Sequence, residues 1–230
     1  VAGDPRLQRL YGWLAPLLIT VLAAVLRLWN LGHPHALVFD ETYYVKDAWS
    51  QWNLGYAATW PEGADARFAA GETDIFTTTA SFVVHPPLGK YLIGVGMWLF
   101  GPDNSFGWRI STALAGTALV LVLFLLAKTL TNSTVFASVA AFLLAIDGLG
   151  IVMSRVALLD VFLALFILLA FWFVALDRAR TLDRLAARTA RRERTAADGG
   201  VEPPMWGAII WNRPWIVAAG AAAGAATAVK

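Results

Sequence analysis

The 230-residue chain contains no cysteine. That single absence excludes disulfides, thiolate metal sites and cysteine nucleophiles. Net charge is nearly absent too: 18 Lys and Arg against 16 Asp and Glu leave +2. So small a surplus carries no nucleic-acid footprint, and the pattern of charge along the chain matters more than its sum. No internal repeat is visible, which argues against the duplicated halves of many transporters. Apolar residues, by contrast, make up 58% of the chain, with a mean hydropathy of +0.60. Soluble domains hold about 45–50%. The surplus is gathered in runs close to the ~20 helical residues that cross a bilayer core.

These runs predict an all-α, polytopic membrane helical bundle, because lipid tolerates only backbone whose polar groups are satisfied internally. Spans are expected at about 14–31, 109–128, 134–152, 158–176 and 215–230. The amino terminus, with Arg6 and Arg9 before an apolar run, starts like a signal peptide. The run lacks a small-residue cleavage site, so it reads as a retained first span. At the other end an Ala/Gly-rich run stops at Lys230 with no flank, which suggests a piece of a longer protein. The run 88–100 is short and holds glycines and Trp98, so it reads as an interfacial helix rather than a span.

Loop charge gives the expected orientation. The segment 32–106 carries Asp40, Glu41, Asp47, Glu62, Asp65, Glu72, Asp74 and Asp103 against Lys46, Arg67 and Lys90. The segment 177–205 carries seven arginines between Arg178 and Arg194. Positive residues favour the cytoplasmic side, so 32–106 reads as a long outer loop with interfacial helices and 177–205 as a basic cytoplasmic segment. That basic segment is either an ordinary inner loop or an amphipathic helix on an anionic leaflet. The residues 199–204 read as a break before the next span, and the sequon Asn132-Ser133-Thr134 falls in an inner turn, where it is chance.

Ionisable residues then converge on the outer side: Asp40, Glu41, His85, Lys90, Arg109, Asp147, Arg155 and Asp160. Charged groups at such depths pair with one another or line an aqueous cavity. Asp40 and Glu41 are either a solvated loop corner or a general base held near lipid, where desolvation and a like charge raise its pKa. Lys90 follows Pro86 and Pro87 at the start of a helix; it either snorkels or meets a lipid phosphate. His85 satisfies a local bond or joins the site. Arg155 and Asp160 either form a helix-locking pair or belong to the site.

Four strings carry a family resemblance: Phe39-Asp40-Glu41-Thr42-Tyr43-Tyr44, His85-Pro86-Pro87-Leu88-Gly89-Lys90, Trp108-Arg109, and Ser154-Arg155-Val156-Ala157-Leu158-Leu159-Asp160. In this order they resemble the protein O-mannosyltransferases of actinobacterial type. The resemblance implies a GT-C glycosyltransferase that moves mannose, with inversion, from polyprenyl-phosphate mannose to Ser or Thr hydroxyls of exported proteins. It implies Asp40 as general base with Glu41 assisting, and Arg109 with Lys90 on the donor phosphate. His85, Arg155 and Asp160 are further site candidates. No cofactor or metal is expected, since fixed cations can meet a phosphate leaving group. Expected partners are the lipid-linked donor, Ser/Thr-rich acceptors, membrane lipids and the protein-export machinery, in the plasma membrane with the site facing outward. An alternative is a GT-C enzyme acting on a glycolipid or cell-wall acceptor. A transporter or lipid-binding scaffold ranks lower.

Overall fold

The computed structural model describes residues 5–198 and 212–230, with side chains from Leu10 onward apart from residue 196. Among the described residues there are nine α-helices: α1 Pro5–Leu28, α2 Glu41–Leu54, α3 Ala64–Ala69, α4 Leu88–Phe100, α5 Ser105–Thr131, α6 Thr134–Ile146, α7 Gly148–Ser154, α8 Asp160–Ala197 and α9 Pro214–Val229. The expected break at 199–204 lies outside the described residues. Three helices are long and apolar enough to cross a membrane: α1 from Leu10, α5, and α8 through Thr195. They make the chain a polytopic membrane protein.

The apolar run 134–152 is not one straight helix. It breaks at Asp147, and α6 and α7 meet at 62°. The cause is local. Asp147 adopts an extended conformation (φ −62°, ψ 118°) and its carboxylate caps α7 by accepting from the Gly150 N–H at 2.5 Å. Asp favours such a cap over a helix interior. A second departure concerns the basic segment. Helix α8 runs 38 residues without interruption, so most of 177–205 continues the fourth apolar run rather than forming a separate element. At 1.5 Å per residue it is about 57 Å long, nearly twice the bilayer core. After Leu176 the chain is rich in Ala and Arg, both strong helix formers, and meets no Gly or Pro before Gly199. Helix α9 has 16 residues, fewer than a full span requires, and packs along α8.

Helix α5 is the hub, contacting α1, α4, α6 and α8. Small residues let it approach closely, as membrane helices require when no hydrophobic effect drives association. A Cβ at Gly96 of α4 would lie 2.4 Å from the Gly107 carbonyl oxygen of α5. A Cβ at Gly116 would lie 2.1 Å from Ser154 Oγ and 3.2 Å from Arg27 Nε. Gly116→Ala is therefore expected to destabilise the bundle by about 1–3 kcal/mol, read as a lower midpoint of thermal unfolding in detergent. An unchanged midpoint would show that α7 can shift without loss.

Two arginines, one buried and one half-buried, close the ends of helices. Arg27, 1% exposed, donates from Nη1 to the Ala145 carbonyl at 3.2 Å and from Nη2 to that of Leu144 at 3.3 Å. These are carbonyls left unpaired where α6 stops. Arg155, beyond α7, donates to the carbonyls of Leu26, Arg27, Trp29 and Asn30 at the end of α1, between 2.7 and 3.3 Å. A cation at a helix carboxyl end also opposes the dipole there.

Candidate active site

Between α1 and α4 the chain folds over the ends of the bundle. Its turn at Val38 to Asp40 is tight. Phe39, an exposed aromatic, sits in the left-handed region at φ 53°. For a non-glycine residue this costs about 1–2 kcal/mol, and it persists only where the surroundings enforce it. The enforcing group is Glu41. Its Oε2 accepts from the Val38 N–H at 3.0 Å, across the strained residue.

Glu41 is fully buried and Arg109 is 1% exposed. Arg109 donates Nε–H to Glu41 Oε1 and Nη2–H to Oε2, both at 2.8 Å. Its other guanidinium protons go to the carbonyls of Leu31 (3.3 Å), Pro34 (2.9 Å) and Ala36 (2.9 Å). All five N–H donors of the guanidinium are thus engaged. Glu41 Oε1 also accepts from the Ala157 N–H at 2.9 Å, which ties the turn to the start of α8. Arg109 and Glu41 therefore form a closed lock among α5, the 31–41 turn and residue 157. As folded, Arg109 has no free donor for a phosphate, and Glu41 has no open lone pair for a substrate; what the geometry gives both is a place in the frame that holds the turn.

Asp40 is different. It stands at the head of α2, and its carboxylate makes no capping bond. It lines a cavity of about 550 Å³ with Tyr44, Lys46, Asp47, Trp60 and Ser81. Phe82, Val84 and Lys90 complete the wall. Lys90 is 1% exposed, and its Nζ donates to Asp47 Oδ2 at 2.9 Å. An ammonium has three donors, so two remain for a ligand. Lys46 reaches Asp65 at 2.5 Å from the same wall. Burial, and then the negative charges of Asp40, Asp160 and Asp47, push the Tyr44 phenol up to about 12. Tyr44 therefore keeps its proton at any physiological pH and serves as a neutral phenol, able to donate or accept a hydrogen bond.

The other candidates lie around this cavity rather than in it. The His85 ring packs 5.9 Å from that of Tyr44. Arg155 and Asp160 do not pair: Arg155 closes α1, and Asp160 accepts from Lys230 Nζ at 2.6 Å. Reading the sequence missed Tyr44, Lys46, Asp47, Trp60 and Ser81. For two of them a signal existed. Asp40, Tyr44 and Asp47 fall at i, i+4 and i+7, one face of a helix. Trp60 and Ser81 are brought in by loop geometry that no periodicity announces.

Residues 84–182 match the family profile described as dolichyl-phosphate-mannose-protein mannosyltransferase. Over 227 residues the chain is 35% identical to the polyprenol-phosphate-mannose–protein mannosyltransferase of Mycolicibacterium smegmatis, covering 97% of this chain and 39% of that protein. The enzyme of the same name from Mycobacterium tuberculosis is 34% identical, covering 100% of this chain and 40% of the relative. Protein O-mannosyl-transferase 1 of Rattus norvegicus is 30% identical over 66% of this chain and 19% of its own length. The chain thus spans about two fifths of the bacterial relatives it matches. Helical spans, the looped acidic turn and these matches define the class as a membrane helical domain of GT-C type. Within that class the chain belongs to the protein O-mannosyltransferase family.

Proposed function

We propose that this domain catalyses transfer of mannose, with inversion, from polyprenyl-phosphate mannose to Ser or Thr hydroxyls of exported proteins, at the outer face of the plasma membrane. The observation that carries the reading is the Asp40 carboxylate, engaged in no capping bond, facing the same cavity as a buried lysine. In one step the acceptor oxygen attacks the anomeric carbon, its proton passes to Asp40, and the sugar–phosphate bond breaks. The leaving polyprenyl phosphate gains charge, which a cation must meet. Lys90, with Lys46 beside it, supplies that cation from the chain itself, and no metal or cofactor is assigned.

The test uses the full-length protein in membrane vesicles, radiolabelled polyprenyl-phosphate mannose and a Ser/Thr-rich peptide. Label should appear on peptide hydroxyls with the anomeric configuration opposite to that of the donor. Label on a glycolipid alone would replace the protein acceptor, and no transfer would sink the reading. Lys90→Met should raise the donor KM roughly tenfold or more, the worth of a charge-assisted hydrogen bond, with a smaller change for the peptide. An unchanged donor KM would move the phosphate elsewhere. For orientation, a cysteine at the exposed Glu62 should react with a membrane-impermeant thiol reagent on intact cells. Reaction only after lysis would turn the domain over.

A further inference from the structure

Two features of the cavity remain unused by this scheme. Trp60 Nε1 and Ser81 Oγ are buried atoms with no hydrogen-bond partner. Both residues line the cavity with Asp40. A buried polar atom left alone costs about 1–3 kcal/mol, so such atoms point to a ligand that completes them. The indole N–H can only donate, while the hydroxyl donates or accepts. A group with hydroxyls and carbonyls suits both.

The second feature is the backbone that carries Ser81. Residues 57–59 and 77–81 form a short antiparallel ribbon. Thr59 N–H donates to the Thr79 carbonyl, Thr77 N–H to that of Thr59, and Ser81 N–H to that of Ala57, each at 2.9 Å. Ala58 and Ala80 form its non-hydrogen-bonded pair. The ribbon is anchored from the inside, where Ala58 N–H donates to the buried Ser50 Oγ at 3.1 Å. By the alternation of a strand, the backbone groups of Ala80 and Phe82 turn to the other edge. Among the described residues no backbone hydrogen bond reaches either of them. This edge continues into Phe82 and Val84, 89% and 68% exposed. An open, apolar, β-prone edge is a liability that folds usually blunt with charge, proline or cover. Here it is left open beside the candidate base.

We infer that this edge receives the acceptor as an added strand: an extended peptide pairs its backbone with Ala80 and Phe82 and presents a Ser or Thr side chain to Asp40, with Trp60 and Ser81 completing its polar contacts. The inference rests on the proposed protein-acceptor reading and deepens it. Strand addition draws affinity from main-chain bonds, so it accepts varied sequences, as a Ser/Thr-modifying site must. The rival occupant of exposed Phe82 and Val84 is the lipid surface. Hydrocarbon cannot satisfy the free N–H and C=O groups of this edge, whereas a peptide can. Phe82 and Val84 also line the catalytic cavity itself, not only the outer surface.

The test leaves the enzyme intact and alters the peptide. The full-length protein in vesicles is given peptides N-methylated at one backbone position each, near the acceptor hydroxyl. Because pairing engages every second residue, methylation at positions of one parity should raise the peptide KM at least tenfold. Positions of the other parity should change it less than twofold, and the donor KM should not move. Transfer that proceeds with equal sensitivity, or none, at both parities would overturn the added strand while leaving the mannosyltransferase reading intact. Failure of the unmethylated peptide to accept mannose would overturn both. As a second measurement, Phe82→Cys carrying an environment-sensitive fluorophore should be protected by acceptor peptide and weakly quenched by brominated phospholipid. Strong quenching by lipid, unmoved by peptide, would assign the edge to the membrane instead.

Discussion

Asp40→Asn is expected to lower mannosyl transfer about 10²- to 10⁴-fold, the usual contribution of a positioned general base. The substitution keeps the size and polarity of the side chain and removes its negative charge and its ability to take a proton. Asp40 has no capping bond to lose, and its neighbours Glu41 and Val38 hold the turn without it. The variant should therefore reach the membrane in normal amount, unfold at the normal temperature and bind donor with unchanged affinity. The loss should fall on kcat. A variant that keeps more than a tenth of wild-type kcat would remove Asp40 from the role. A variant that fails to accumulate would show instead that the head of α2 depends on its charge.

The second large effect is on stability. Arg109→Ala leaves the Glu41 carboxylate at 0% exposure without its counter-ion, and leaves three carbonyls without donors. Breaking a buried pair from one side costs about 3–5 kcal/mol, which is a large share of a domain's total. Glu41→Ala should cost a similar amount for the converse reason, and it also frees the strained Phe39 turn. The informative variant is the double one. Glu41→Leu with Arg109→Met removes both charges and should be less destabilised than either single change, since no lone charge stays buried. Thermal unfolding of the detergent-purified protein measures all three. Were Arg109 a phosphate ligand, Arg109→Ala would fold well and lose donor affinity. The five occupied N–H donors argue for the first outcome.

These two residues also show what could be read before the fold was known. The sequence makes the apolar runs plain, because bilayer length is a one-dimensional constraint. It also marks Asp40, Glu41, Lys90 and Arg109 as unusual, because charge beside long apolar runs is unusual. It does not say which of two adjacent carboxylates is free. That depends on the turn at Phe39, within which Glu41 bonds inward to Arg109 and the Val38 N–H while Asp40 lines the cavity. The arginines pose the same difficulty. Arg109 and Arg155 look like functional cations along the chain, yet both are consumed by backbone carbonyls that only tertiary structure brings near. Arg27, hidden in the first apolar run, is obscured for the same reason. The break at Asp147 is not legible in an apolar run that reads as one span over 134–152, since a side-chain cap sets it.

The arginine clasps have a consequence for how the protein is made. Helix α1 supplies Arg27 to the end of α6, and the segment after α7 returns Arg155 to the end of α1. Ala145 follows Arg27 by 118 residues. At a synthesis rate of about 5–20 residues per second, the first helix waits roughly 6–24 seconds for the chain that completes it. During that interval the Arg27 guanidinium has only the Ala23 carbonyl of its own helix, at 3.4 Å, to meet its charge, a state that lipid penalises. The first helix is thus a poor candidate for independent release into the bilayer. The pairing of Arg27 with the end of α6 favours entry of the two helices into the membrane as one unit.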